Sequence, residues 1–231
     1  MDDDSKLDPA QPDYALINLP TTMRLPLHGS NFRLTHRFLL NLQSQSFSEN
    51  LGDLFGLDNG AVVGFEYRFA PLRHLQAIVY RNSFDKTFQF SGQYDAVHQS
   101  AARPVSISGI ISIEGADNFH TRYSPALGAV VSRTVSDRLA MYASPFWVHN
   151  TAALLGVTRE TFFLGLGAQL RLGRRRYIVA ETSPRLAGYA QGDPEYAFGI
   201  EERVGGHVFL LEFSNSIGST YGQIARGGLP D

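Results

Sequence analysis

From Asn31 onward, apolar and polar residues alternate along the chain with a period of two. The pattern divides into eleven strand-like runs, near 31–42, 61–70, 75–83, 86–97, 104–115, 124–135, 138–148, 160–172, 176–186, 195–204 and 207–216. Four runs show it best. In 86–97, Phe88, Phe90, Gly92 and Tyr94 oppose Gln89, Ser91, Gln93 and Asp95. In 104–115, Val105, Ile107, Gly109, Ile111 and Ile113 oppose Ser106, Ser108, Ser112 and Glu114, with Ile110 out of step. In 160–172, Phe162, Leu164, Leu166, Ala168, Leu170 and Leu172 oppose Gly165, Gly167, Gln169 and Arg171, with Phe163 out of step. In 61–70, Val63, Phe65, Tyr67 and Phe69 oppose Gly64, Glu66 and Arg68. A strand sorts such residues onto two faces, whereas a helix would scatter them around its axis.

Many runs are about 10 residues long, as a tilted membrane strand requires; globular strands average nearer 5–6. Long connections, 43–60 first among them, mostly follow odd-numbered runs. The clearest tight turns, Ser136-Asp137 and Gly205-Gly206 among them, follow even-numbered runs. Outer-membrane barrels have this asymmetry, which predicts a periplasmic N-terminus. The expectation is an all-β fold: a transmembrane antiparallel up-and-down β-barrel of about 12 strands. Single-chain bacterial barrels usually have an even strand number. Residues 217–231 are Gly-rich and not strand-like. Either the final strand is missing from this chain, or the early segment 14–30 substitutes for it.

Residues 1–13 are acidic, hold Pro9 and Pro12, and read as a loose terminus. Residues 14–30 are short apolar pieces broken by Pro20, Pro26 and Gly29. The predicted division is an acidic, extended periplasmic segment over 1–30 and a barrel over 31–231.

Composition adjusts this picture little. The 231 residues are 43% hydrophobic and 18% charged, below the roughly 25% charge of an ordinary soluble domain. Mean hydropathy is -0.14, as expected when two opposite faces are averaged. The net charge of -2 gives no field that favours nucleic acid. The absence of cysteine removes disulfides and thiolate metal sites. The opening Met-Asp-Asp-Asp-Ser-Lys is too acidic for a signal peptide, so the barrel reading expects a leader already removed.

Several stretches resemble one family in order and spacing: Ile17–Thr22 (INLPTT), Phe32–Phe38 (FRLTHRF), Asp53–Gly60 (DLFGLDNG), Gly64–Phe69 (GFEYRF), Tyr123–Gly128 (YSPALG), Phe198–Gly206 (FGIEERVGG) and Phe213–Ser216 (FSNS). The family consists of uncharacterised β-barrels of Gram-negative bacteria, known as a barrel domain of unknown function. The resemblance implies an outer-membrane barrel made with a signal peptide and closed by an aromatic-rich strand ending near a Phe. It transfers no catalytic residue. Here the chain ends Gly-Leu-Pro-Asp.

The alternation assigns twelve charged residues to the lumen: Arg33, Arg37, Glu66, Arg68, Asp95, Glu114, Arg171, Glu181, Arg185, Glu201, Arg203 and Glu212. Two readings stand for them. Rings of charge could line a polar path for a small solute. Arg–carboxylate pairs could instead brace the lumen shut. The registers of 75–83, 124–135 and 138–148 are ambiguous, leaving Arg81 and Arg133 unassigned.

In 48–60, Ser48 is a candidate helix cap, with Leu51, Leu54 and Phe55 on one side. That segment reads either as a plug or lid, or as a surface loop packed on the rim. None of the seven histidines form a ligand pair such as HExxH. His36 falls on the lipid face, which calls for a bulge or a place near the interface. Trp147, Tyr142, Tyr177, Tyr196 and Tyr221 are candidates for interfacial girdles. GxSxG and GxxxxGK[ST] are both missing, so no enzyme, cofactor or metal is expected. The expected surroundings are the lipid bilayer of the bacterial outer membrane, with a periplasmic partner and an unidentified small solute as further candidates. A porin-like passage leads. A closed structural or scaffold barrel and a soluble lipid-binding barrel with apolar faces turned inward are the alternatives.

Overall fold

A computed structural model describes residues 10–57, 60–152 and 156–228. Its strands are β1 (Ser30–Phe38), β2 (Ala61–Leu72), β3 (Leu75–Asn82), β4 (Phe88–Val97), β5 (Ser106–Gly115), β6 (Thr121–Ser136), β7 (Leu139–Val148), β8 (Thr161–Arg171), β9 (Arg176–Ser183), β10 (Arg185–Ala187), β11 (Glu195–Val204) and β12 (His207–Ser214). Each predicted run forms a strand. The run 176–186 is interrupted at Pro184, which has no N–H for the ladder. Beyond it, β10 continues along β8, with Arg185 opposite Phe163.

All pairings are antiparallel and sequential, from β1 through β9 to β11 and β12, with β10 off this path. The path holds eleven strands, so its first and last members run in the same direction. They are not paired to each other. Arg37 on β1 and Glu212 on β12 nevertheless meet at 2.5 Å, so the sheet curls until its two edges are within side-chain reach.

The curl gives each strand an inside and an outside. Along β2, Val62, Gly64, Arg68 and Ala70 are buried, whereas Phe65 and Tyr67 point out. Along β12, Phe209 and Leu211 point out and Glu212 points in. Phe32 is 61% exposed and Leu211 67%, and similar residues recur around the barrel. A soluble monomer rarely shows so continuous an apolar surface. The apolar faces therefore point outward, opposite to what a soluble lipid-binding barrel would need.

The ends differ. Tight turns close one end; between β11 and β12, Gly205 takes a φ of +60° in a two-residue hairpin. Three register shifts, at Phe69/Leu72, Asp95/Val97 and Thr134/Ser136, lie at this end. Longer connections occupy the other end. They carry the helix α1 (Phe47–Gly52) and a short turn, α2 (Ala116–Phe119). Ser46, rather than Ser48, caps α1: its hydroxyl accepts from the Glu49 N–H, and the Glu49 carboxylate accepts from the Ser46 N–H at 2.8 Å. The Ser46 hydroxyl, which donates to the Glu49 carboxylate at 2.6 Å, and the Ser46 N–H together hold that carboxyl below its usual range. After β12 the chain turns inward and forms α3 (Tyr221–Arg226), most of which is buried.

Candidate functional site: the lumen

Two segments of the chain fill the lumen. The first is 10–25, expected as a periplasmic extension or a substitute strand. It is neither. It enters from the short-turn end and folds back on itself inside. The Leu16 N–H donates to the Leu19 carbonyl at 2.8 Å, the Thr21 N–H to the Tyr14 carbonyl at 3.0 Å, and Ala15 bridges Pro20. Residues 15–22 are buried throughout. The proposed boundary at residue 30 therefore separates no independent body. Residues 1–9, expected to be loose, lie outside the described residues.

The tip of this hairpin rests on one carboxylate. Glu181 of β9 accepts the backbone N–H groups of Ile17 (3.1 Å), Asn18 (2.7 Å) and Leu19 (3.1 Å). The Asn18 side chain donates to Glu195 at 2.9 Å and accepts from Arg37 at 2.6 Å. On the opposite wall, Gln93 and Gln76 donate to the carbonyls of Thr21 (2.9 Å) and Met23 (3.1 Å). Gly165 on β8 leaves room for Leu19; a Cβ there would come within 2.6 Å of it.

The second segment is α3, within the stretch 217–231 that reads as Gly-rich and not strand-like. Its Tyr221 and Gly222 N–H groups donate to Gln89 (2.9 Å) and Glu114 (3.0 Å), and its Arg226 pairs with Glu114 at 3.3 Å. Thr220 and Gln223 form a capping box. Tyr221 stacks on Phe146 at 4.3 Å, and Phe146 on Phe163 at 5.2 Å. Burial pushes the Tyr221 hydroxyl up, so it stays neutral. Between hairpin and helix remains a cavity of about 30 Å³, room for water but not for a solute path. A wider pocket of about 680 Å³ opens at the short-turn end, beside Gln11, Arg24, His98 and Thr134.

The predicted charges can now be placed. Arg37 links four pieces: Glu212, Asn18, the Ser219 hydroxyl (2.7 Å) and the Gly218 carbonyl (3.2 Å). Arg33 donates to the Ile17 carbonyl at 2.7 Å. Arg68 pairs with Glu66 at 3.2 Å and donates to Gln93 at 3.2 Å. Asp95 accepts from Ser108 at 2.8 Å and lies 3.9 Å from Arg24. Glu201 accepts from Gln169 at 3.1 Å, and Gln169 accepts from Tyr142 at 3.0 Å. Glu114 and Glu181 hold the two inserted segments. Arg203 is half-buried on the inner face near the short turn. Two residues serve loops instead of lining the lumen. Arg171 donates to the turn carbonyls of Gly173 and Arg174. Arg185 donates to the carbonyls of Gln191, Gly192 and, at 2.7 Å, Arg226 at the end of α3.

Sequence reasoning missed Glu195, although it shares the parity of Glu201 and Arg203. It also missed the apolar sector of the lumen, where Val130, Tyr142, Phe146 and Val179 pack against Leu16, Leu19 and Ile224. Arg81 and Arg133, unassigned before, belong to the outward parity of β3 and β6. Of the candidate girdle aromatics, Trp147 and Tyr196 point outward. Tyr142 and Tyr177 face inward, and Tyr221 lies in α3. His36 faces outward in a ladder without a bulge, close to the long-loop end. Among the described residues, no group of three or more His, Asp or Glu side chains is placed to hold a metal.

A family model described as a membrane bound beta barrel domain, DUF5777, matches residues 13–227. The chain belongs to this family. No curated protein and no solved structure matches it. The DUF5777 match covers residues 13–25 of the first inserted segment, all of α3 and the strands, and a membrane-bound domain of this kind associates with the lipid bilayer.

Proposed function

We propose that this DUF5777 barrel is an outer-membrane protein of Gram-negative bacteria that stands closed and serves as a membrane-seated structural module, not as an open pore. The observation that carries this reading is the occupied lumen. The 10–25 hairpin and α3 meet inside it, and the lumen charges bond to them. A solute path would require the hairpin to leave its bonds to Glu181, Gln93 and Gln76. The bracing role of Arg37 and Arg68 supports the same view. The pocket of about 680 Å³ at the short-turn end lies where the N-terminal segment enters, a suitable face for a periplasmic partner.

Planar-bilayer recording tests this. The intact protein is expected to give no steady conductance, and a variant lacking residues 10–25 is expected to give discrete steps. Sustained steps from the intact protein would overturn the closed reading. Fractionation of the native host tests the location; recovery with the inner membrane would refute it.

A further inference from the structure

The connection between β1 and β2 carries a cluster of exposed apolar side chains far from the lumen. Phe47, Leu51, Leu54, Phe55 and Leu57 are each between 38% and 74% exposed. Phe47 and Leu51 share one face of α1, four residues apart. Phe47 and Phe55 meet edge to face at 6.1 Å, which makes the cluster one surface. The segment is ordered around this face. Ser46 and Glu49 cap the helix, and the buried Asn50 donates to the Leu42 carbonyl at 2.8 Å.

The direction of folding matters most. Gly56, with φ at +92°, packs so closely on the end of β1 that a Cβ there would lie 2.6 Å from the Leu40 Cβ and 3.4 Å from the Phe38 Cβ. Phe38 belongs to the outward parity of β1, with Phe32 and Leu34. The segment therefore leans against the outer wall instead of covering the mouth, so the plug or lid reading does not hold. Its exposed apolar side chains thus stand next to Phe38 and Leu39, the exposed upper end of the apolar wall.

We propose that residues 47–57 form an interfacial anchor that lies in the membrane at the long-loop end, with Phe47, Leu51, Leu54 and Leu57 inserted among the acyl chains. Continuity with the lipid-contacting wall identifies lipid as the occupant. The segment from Leu39 to Gly60 contains Glu49, Asp53 and Asp58 and no Lys or Arg. Attraction to anionic headgroups therefore plays no part, and the contact is apolar partition, as in other interfacial amphipathic segments. An anchor of this kind fixes how deep the barrel sits at the β1 edge of its seam.

The test uses one reporter tryptophan at a time. Trp147, the sole native tryptophan, is replaced as Trp147→Phe. Phe47→Trp and Leu57→Trp are then made separately on that background. Each protein is reconstituted into phosphatidylcholine vesicles, with or without bromine near the top of the acyl chain. Heat-modifiable gel mobility confirms that each barrel has folded. Both reporters are expected to emit at short wavelength, to lose most of their fluorescence to bromine, and to resist aqueous iodide at low and high salt alike. Iodide quenching of either folded reporter, with bromine without effect, would overturn the anchor and identify the cluster as a water-facing surface for a protein.

Discussion

The two segments inside the lumen are held by different physics. The hairpin tip is held by discrete polar bonds, the largest group of them at Glu181, whose carboxyl accepts three consecutive backbone donors. The helix α3 is held over a surface, with Tyr221 stacked on Phe146 and with Ile224 and Ala225 fully buried. A point attachment fails all at once when its acceptor is removed. A packed surface fails in proportion to the area lost. The two plugs nevertheless share Arg37, which bonds to Asn18 and to Gly218 and Ser219, and one apolar cluster that holds Leu16, Leu19 and Ile224, so the contrast is one of degree.

Three changes would break or sharpen this contrast. The largest effect is expected from Glu181→Ala. Orphaning three buried N–H groups, at about 1–3 kcal/mol each, should weaken the hairpin by about 4 kcal/mol, a roughly thousandfold rise in opening. Hydrogen exchange at residues 17–19 measures it. Equal acceleration in α3 would show that the plugs open as one body. The second is Ile224→Ala, which trims a buried side chain and should loosen α3 by about 2–4 kcal/mol. Here the faster exchange belongs mainly in 221–226, with a smaller change at the hairpin amides. The smallest effect concerns a helix outside the lumen. The Glu49 carboxyl is held below its ordinary value of 4.5, so its support of α1 is fully present above that value. That support disappears as pH falls through the lowered one. Protection of the amides at residues 47–52, relative to their intrinsic exchange rates, should therefore fall on acidification more in the native protein than in Glu49→Gln. Identical profiles would remove the capping box from the account.

The strand plan was legible because one face of each strand meets lipid and the other meets polar side chains. That contrast is large in 61–70 and 86–97, and their registers match the structure. It fails where the lumen itself is apolar. Val130 and Phe146 face inward beneath Leu16 and Tyr221, so β6 and β7 are apolar on both sides and their period fades. The two exceptions to alternation, Ile110 and Phe163, have the same origin: both point inward against the inserted segments. Read together, they were the available sign of an apolar guest in the lumen. The hairpin left no periodic signal because the pieces between Pro12, Pro20 and Pro26, seven and five residues long, are too short to carry one. Parity groups the charged residues by face, but the partners of Arg37 and Glu181 lie more than 160 residues away or in nonperiodic sequence. Alternation cannot show such contacts.

The odd strand count along the sheet has a consequence for neighbouring molecules. β1 and β12 both run toward the long-loop end. Copies inserted with the same sidedness present every free edge with the same polarity. Two such edges can align only in parallel, with slanted and weaker bonds, and never in the antiparallel ladder that builds each barrel. Polarity alone thus discourages fusion of seams between like molecules, whatever their concentration in the membrane, while a single strand of opposite direction would match both edges together.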